Sequence, residues 1–177
     1  MRLNPIPYAL RRAANLLVWG AALAAGCKPV VSRAPERAPP AAVDIATNTT
    51  GEEIVVRTNT ERQKLSLPVL SRNAALMNAA QLQANQMAGL NKMAHDLPGA
   101  SFPSLSSRLD FVGYRMSASG ENVAEGYPSP ATVVAGWMTS PGHRENIVSS
   151  HYTQMGAGVA TAQNGRKFYA QVFARPR

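Results

Sequence analysis

The sequence predicts one α+β domain, an α-β-α sandwich with an antiparallel central sheet, in the C-terminal part of the 177-residue chain. Three observations carry this prediction. Helical patterns fill most of the chain from Thr50 to Gly142, and two strand-like segments joined by Asn164-Gly165 follow them. The last segment is apolar on both faces, so we expect helices to cover both sides of the sheet.

The first helices are predicted from capping signals and apolar spacing. "TGEE" from Thr50 is typical of a capping box, and a helix to about Lys64 should follow it. A second helix is predicted from Ser71 as N-cap to a position near Gly89. Its apolar stripe recurs at helical spacing and consists of Leu76, Ala80, Ala84 and Met87.

Two shorter helices are predicted in the middle of the chain. One runs from Leu105 to Tyr114, and an extended stretch follows at about Glu121 to Ala124. Ser129 as N-cap and Pro130 at the first position open the other helix, whose end we place at Pro141-Gly142. Its buried stripe is expected to be Val133, Val134, Trp137 and Met138.

The end of the chain predicts a β-hairpin. "YTQMGAGVATA" and "RKFYAQVFA" flank "QNG", and Asn-Gly is a strong hairpin signal. In the last strand two sets of apolar residues alternate. Phe168, Ala170 and Val172 share one face, and Tyr169 and Phe173 share the other.

Residues 1–27 are predicted to be a signal peptide. A basic opening precedes an apolar run and small residues, and the run is too short for a membrane-spanning helix. The lone cysteine, Cys27, follows "LAAG" as in the lipobox of bacterial lipoproteins, so we expect it to be lipidated. The alternative is ordinary cleavage after Ala24. Lys28 after the cysteine favours an outer-membrane lipoprotein facing the periplasm or the surface.

Residues 28–49 are rich in proline and alanine and predict a disordered tether, which leaves residues 50–177 as the folded domain. The formal charge is +8, and without residues 1–26 it falls to about +5, since 15 basic and 10 acidic residues remain. That charge suits an anionic envelope polymer or a lipid surface. Basic residues do not interleave with aromatic ones, so no nucleic-acid partner is expected.

Candidate site residues are few. The three histidines, His95, His143 and His151, all follow predicted helices or lie in loops, and Glu121 lies in another loop. Such residues can carry protons or hold a divalent cation. Each also has a plainer interpretation, as a helix cap or a loop hydrogen-bond acceptor. The chain has no H-E-x-x-H, no G-x-S-x-G and no phosphate-binding glycine motif.

These motifs, taken together and in order, resemble a known family. They are "NTERQKLSLPVLSRNAALMNAAQLQANQM", "MAHD", "SSRLDFVGY", "GENVAEG", "VVAGWMTSPGHRENIV", "YTQMGAGVA" and "FYAQVFA". Residues 54–173 are thus similar to the CAP superfamily of cysteine-rich secretory proteins, antigen 5 and pathogenesis-related 1 proteins, and in particular to its bacterial SCP-like branch. The resemblance implies an α-β-α sandwich with a central cleft.

In eukaryotic members two histidines and two acidic residues line that cleft and can bind a divalent metal such as zinc. The motifs carry the first histidine over to His95 and the glutamate to Glu121. Ser140 stands at the place of the second acidic residue, so the tetrad is incomplete. The last histidine is His143 by the bacterial "GHR" motif or His151 by the "H-[YF]-T" motif. A metal, if bound, would be held by His95, Glu121 and His143.

The resemblance fixes no activity. Our leading hypothesis is a lipid-anchored domain that binds a lipid, an envelope polymer or a protein. The first alternative is a hydrolase of peptide or cell-wall polymer with Glu121 as general base. The second is a structural or adhesion module without catalysis. The binding hypothesis predicts an apolar groove beside the histidines, and the hydrolase requires His95, Glu121 and a second histidine to converge.

Overall fold

A computed structural model describes residues 49–177. Five helices and four strands follow one another in this part of the chain. They are α1 (Thr49–Lys64), β1 (Ser71–Arg72), α2 (Ala74–Leu90), α3 (Leu105–Phe111), β2 (Met116–Glu125), α4 (Pro130–Thr139), α5 (Pro141–Val148), β3 (Gln154–Thr161) and β4 (Lys167–Pro176).

The four strands form one sheet in the order β1-β3-β4-β2. β4 is antiparallel to both β2 and β3, and only the two-residue strand β1 runs parallel to its neighbour β3. The predicted α+β class is therefore confirmed, with an antiparallel sheet to which one short parallel strand is added. β2 lies at an edge of the sheet, and this position becomes important for the site.

Helices cover both faces of the sheet. On one face α2 and α3 pack on Phe168, Ala170 and Val172 of β4. On the other face α1, α4 and α5 pack around Tyr169 and Phe173. The alternation of side chains along β4 thus supplies one apolar core to each layer, as the sequence predicts.

Two glycines in β3 bring α2 close to the sheet. A Cβ atom at Gly156 would collide with the backbone of Leu76 and Met77, and one at Gly158 would collide with the backbone of Gln81. The stretch "MGAGVA" is therefore a packing surface for the backbone of α2, since any side chain at these two places would push the helix away.

Two predicted helix boundaries are wrong. Ser71 belongs to β1, where its N–H donates to Thr153 O, and Asn73 is the N-cap of α2, accepting the N–H of Leu76. Pro141 does not terminate helical structure but begins α5, with Ser140 as the residue shared between α4 and α5. Proline is tolerated there because the first helical N–H has no partner within a helix.

The predicted hairpin is confirmed. The N–H of Gly165 donates to Ala162 O, and Gly165 has a φ of 82°, which glycine adopts readily. The extended stretch around Glu121 is longer than expected, since β2 pairs with β4 over most of its ten residues. The predicted third helix is shorter and ends at Phe111.

The predicted signal peptide, the lipidation site Cys27 and most of the tether lie outside the described residues, so the domain boundaries at 27 and 49 stay predictions. Within residues 49–177 no helix has the length and hydrophobicity needed to cross a bilayer.

Candidate functional site at the edge of the sheet

Glu121 lies on the edge strand β2, opposite Val172 of β4. Its side chain points toward the layer of α2 and α3, since Val123, two residues further along the strand, packs in that core. Only 4% of the Glu121 side chain is exposed. A carboxylate this buried needs strong partners, because removing an ion from water is costly.

The first partner of Glu121 is Arg108 of α3. Arg108 Nη2 donates to Glu121 Oε2 at 2.7 Å, and the Arg108 side chain is completely buried. The guanidinium also donates from Nη1 to Phe102 O at 3.3 Å, while its Nε has no hydrogen-bond partner in the described part of the chain. The pair was missed from the sequence because Arg108 lies on a helix that carried no other sign of function.

The second partner is His95, in the loop after α2. His95 Nδ1 lies 3.0 Å from Glu121 Oε1, and 58% of the His95 side chain remains exposed. Gln83, buried on α2, holds this loop by donating to Ala94 O at 2.6 Å and to His95 O at 3.0 Å. The hydrogen bond to Glu121 raises the pKa of His95 above 6.5, although partial burial opposes this shift.

His143 approaches from the opposite layer. It lies in the first turn of α5, and its Nδ1 is 2.9 Å from Ser140 Oγ. Asn122 of β2 donates to His143 O at 3.1 Å and so ties α5 to the edge strand. Burial lowers the pKa of His143 below 6.5, and the charge of His95 lowers it further.

Asn146 provides a second tie between α5 and β2. Its amide donates to Glu121 O at 3.2 Å and to Asn122 Oδ1 at 2.9 Å. Tyr152 OH donates to Ser119 O beside this tie, where a Cβ atom at Gly120 would collide with the Tyr152 hydroxyl. The bonds of Asn146 are long-range and hold α5 against β2.

The structure therefore brings His95, Glu121 and His143 to one edge of the sheet and leaves His151 apart. His151 is exposed, and its contacts are made by the backbone: its N–H donates to Ser149 Oγ, and its carbonyl accepts from Arg175. No hydrogen bond in residues 49–177 links the His151 ring to Glu121 or to either of the other histidines.

The donors at this edge do not fit a divalent cation well. Both oxygens of Glu121 already accept hydrogen bonds, and a buried guanidinium beside them would repel a metal ion. In residues 49–177 no three His, Cys, Asp or Glu side chains cluster as a metal site would require. Zinc at His95, Glu121 and His143 therefore stays a prediction from the resemblance.

The comparisons with known proteins agree with this architecture. A model of the cysteine-rich secretory protein family, CAP, matches residues 55–173. The chain belongs to this family. The CAP domain is 35% identical over 109 residues to the uncharacterized protein YkwD of Bacillus subtilis, covering 60% of this chain and 41% of that one.

Solved structures show the same fold. An extracellular protein of Bacillus anthracis that contains an SCP domain has 30% identity and a TM-score of 0.66, with 72% of this chain and 41% of that chain covered. An outer surface protein of Borrelia burgdorferi has a TM-score of 0.64 at 19% identity, over 76% of this chain and 97% of that one. The chain spans less than half the length of YkwD and of the Bacillus anthracis protein.

Proposed function

We propose that this protein is an exported, membrane-tethered CAP domain that binds a polar group of an envelope polymer between His95 and His143, without catalysing its cleavage. Export is supported by the signal-like residues 1–27 and by the extracellular and outer-surface descriptions of two solved relatives. Tethering is supported by Cys27 after "LAAG" and by the proline-rich residues 28–49.

The observation that carries the proposal is that the Glu121 carboxylate is buried and that both of its oxygens are hydrogen-bonded. A general base needs a free lone pair within reach of the substrate proton. Here Arg108 holds one oxygen of Glu121 and His95 holds the other, at 2.7 and 3.0 Å. Glu121 therefore orients His95 and raises its pKa, and because only 4% of the Glu121 side chain is exposed it is poorly placed to accept a proton from a substrate.

The two histidines are suited to binding. Each ring uses Nδ1 for a partner inside the protein, and neither Nε2 has a protein partner among residues 49–177. The pKa of His95 is raised and that of His143 is lowered, so near neutral pH one ring is more readily a cation and the other is a neutral imidazole. Such a pair can bind a carboxylate or a phosphate of an envelope polymer.

Two depressions of the described surface lie away from the histidines. The binding hypothesis from the sequence includes an apolar groove beside the histidines. One of the two depressions lies between the end of α2 and the hairpin turn, of about 300 Å³, and the other between α1 and α4, of about 140 Å³. Neither is lined by His95, Glu121 or His143. The contact proposed for the ligand is the edge of the sheet itself, where Glu121 lies on β2.

Two features support the hydrolase alternative. His95, Glu121 and His143 lie at one edge of the sheet, as this alternative requires. Ser140 Oγ and His143 Nδ1 are 2.9 Å apart, a distance at which a histidine can activate a serine. A complete device of this kind also needs a group that orients the histidine, and no carboxylate in residues 49–177 bonds to the His143 ring. The contact is more simply explained as a bond that fixes the ring at the start of α5.

The test is co-sedimentation of the full chain, carrying Cys27→Ser to prevent lipidation, with isolated cell-wall sacculi. We expect the double variant His95→Ala/His143→Ala to bind at least about a hundredfold more weakly, since each of the two lost hydrogen bonds to a charged group contributes about 1.5–3 kcal/mol and every 1.4 kcal/mol is tenfold in affinity. The matched control is His151→Ala, which removes a histidine outside the cleft and should bind like the parent chain.

Two outcomes would overturn the proposal. Equal binding by the double variant and the parent chain would show that the histidines are not the site. Release of soluble cell-wall fragments that Ser140→Ala abolishes would show that the domain is a hydrolase.

A further inference from the structure

The end of the sheet away from the hairpin turn gathers four separate segments of the chain. β1, β2 and β3 all begin at this end and β4 finishes there, as the pairing of Met116 with Pro176 and of Gln154 with both Ser71 and Ala174 shows. We call it the basic end, and it comprises Leu65, Val69, Arg115, His151, Arg175 and Arg177.

Two arginines of the basic end lie on neighbouring segments, Arg115 just before β2 and Arg177 just after β4. The N–H of Arg177 donates to Arg115 O at 3.2 Å, next to the pair Met116 and Pro176. Arg177 is held there by its side chain, since its Nε donates to Met116 O at 3.1 Å, and like charges at neighbouring positions repel each other. An anionic partner that lies across both guanidinium groups would turn the repulsion into attraction.

A third arginine extends the positive charge toward His151. Arg175 donates to His151 O at 2.8 Å and to Ser150 O at 2.9 Å, which leaves other guanidinium N–H groups available. Among residues 49–177 none of the three arginines forms an ion pair. The acidic residues nearest along the chain, Asp110 and Glu145, do not pair with them either.

Exposed apolar side chains lie next to this charge. Leu65 is 42% exposed and Val69 is 52% exposed, in the loop between α1 and β1. The buried Arg62 joins this loop to the segment before β3, since it donates to Pro68 O and to Ser149 O. Leu65 and Val69 therefore border the segment that Arg175 also binds.

We propose that the basic end rests on an anionic lipid surface, with the three arginines at the lipid phosphates and Leu65 and Val69 at the level of the headgroups. Cations beside exposed apolar side chains are typical of protein surfaces that lie in a membrane interface. Leu65 and Val69 favour a lipid surface over a soluble polyanion, because only the lipid surface has an apolar region in which these side chains can be buried. This surface is separate from the histidine cleft and does not depend on lipidation of Cys27.

The other end of the sheet supplies a matched control. Arg166 forms an ion pair with Glu125 at 3.0 Å, Lys167 donates to Pro128 O, and Lys92 lies near the hairpin turn through the contact of Asn91 with Asn164. Neutralising these three residues removes the same formal charge from the chain as neutralising the three arginines does. The two triple variants therefore separate a local surface from total charge.

The test is a fluorescent probe attached to the full chain with Cys27→Ser, at Val69→Cys or, for comparison, at Asn164→Cys by the hairpin turn. The chain is mixed with vesicles of phosphatidylcholine alone or with about a third of phosphatidylglycerol. We expect a blue shift of the Val69 probe on the anionic vesicles alone and no shift of the Asn164 probe. Both labelled proteins carry the same apolar N-terminal residues, so any binding through those residues is equal in the two. A difference between the probes therefore reports which end of the sheet touches the vesicle.

The triple variant Arg115→Gln/Arg175→Gln/Arg177→Gln should need about a hundredfold more anionic lipid for the same shift, given the attraction that each cation near such a surface contributes. The control triple variant, Lys92→Gln/Arg166→Gln/Lys167→Gln, should change the amount of anionic lipid needed by less than about threefold. The proposal is overturned if both probes shift alike, if neither shifts, or if the two triple variants behave alike. It is also overturned if soluble polyphosphate shifts the Val69 probe as strongly as vesicles do at equal phosphate.

Discussion

Arg108 and Glu121 form a buried ion pair, with 2.7 Å between Nη2 and Oε2, and the second oxygen of the same carboxylate holds His95 at 3.0 Å. In this series of three side chains, Arg108 is completely buried, and His95 reaches solvent at the edge of the sheet. The arrangement explains how an exposed loop histidine acquires a fixed orientation and a raised pKa.

Removing Arg108 should destabilise the domain strongly. Arg108→Met leaves the buried Glu121 carboxylate without its cation, so we expect the free energy of unfolding to fall by about 3–5 kcal/mol. Urea denaturation measures this value. The control is Arg57→Met, which breaks the exposed pair with Glu53 and should cost less than about 1 kcal/mol. Equal losses in the two variants would contradict the role assigned to the buried pair.

The pKa of His95 should lie above 6.5, and that of His143 should lie below 6.5. The hydrogen bond to Glu121 raises the pKa of His95, and burial lowers that of His143. Imidazole NMR signals followed against pH give both values. Glu121→Gln should lower the pKa of His95, whereas Arg108→Met should raise it further, because the charge of Arg108 acts against protonation of His95. Shifts of the same sign in the two variants would refute the network.

The same directions predict how stability depends on pH. A raised pKa in the folded state means that His95 contributes stability below 6.5 and loses this contribution as pH rises through its folded pKa. A lowered pKa means that His143 costs stability as pH falls below 6.5 through its folded pKa. The free energies of unfolding of the parent chain and of His95→Gln should therefore differ most at pH below 6.5. A difference that grows as the pH rises would contradict this prediction.

Asn146 should control the position of His143. Asn146→Ala removes the bonds to Glu121 O and Asn122 Oδ1, and we expect it to cost about 1–3 kcal/mol of stability and to shift the NMR signals of the His143 ring. Asn85→Ala serves as control, because Asn85 is an exposed residue of α2. Unchanged His143 signals in folded Asn146→Ala would show that α5 is positioned by other contacts.

Glycine substitutions should distinguish close packing from helix propensity. Gly156→Ala would drive a methyl group into the backbone of α2, and we expect a loss of at least about 1–3 kcal/mol. Gly89→Ala in α2 meets no atom within 4 Å and should stabilise the domain by about 0.5–1 kcal/mol. Thermal or urea unfolding of both variants provides the comparison. Tolerance of Gly156→Ala would mean that α2 does not approach β3 as described.

Much of the fold was predictable from local pattern. Ser129 with Pro130 marks the start of α4, and Asn164-Gly165 marks the hairpin, because both signals depend on backbone conformation within a few residues. The alternation along β4 also predicted the helical layers on both faces. The strand β1 gave no such signal, since its two residues are held by pairing with β3, which is remote in sequence.

The site was predictable only in part. Histidines and a glutamate attract notice by their chemistry, so His95, Glu121 and His143 could be named from the sequence. Arg108 and Gln83 could not be, because each looks like an ordinary helix residue until the fold buries it beside a polar group. The position of His143 at the edge of the sheet likewise depends on the placement of α5 against β2, where Asn122 and Asn146 form bonds between residues remote in sequence.

The most direct test of the binding site is an imidazole NMR titration of the full chain, carrying Cys27→Ser, with a soluble digest of bacterial cell wall at a pH near 6.5. We expect the signals of His95 and His143 to shift together and saturate, while those of His151 stay in place. A shift of His151 alone, or no shift of either cleft histidine, would contradict the assignment of the edge cleft as the ligand site.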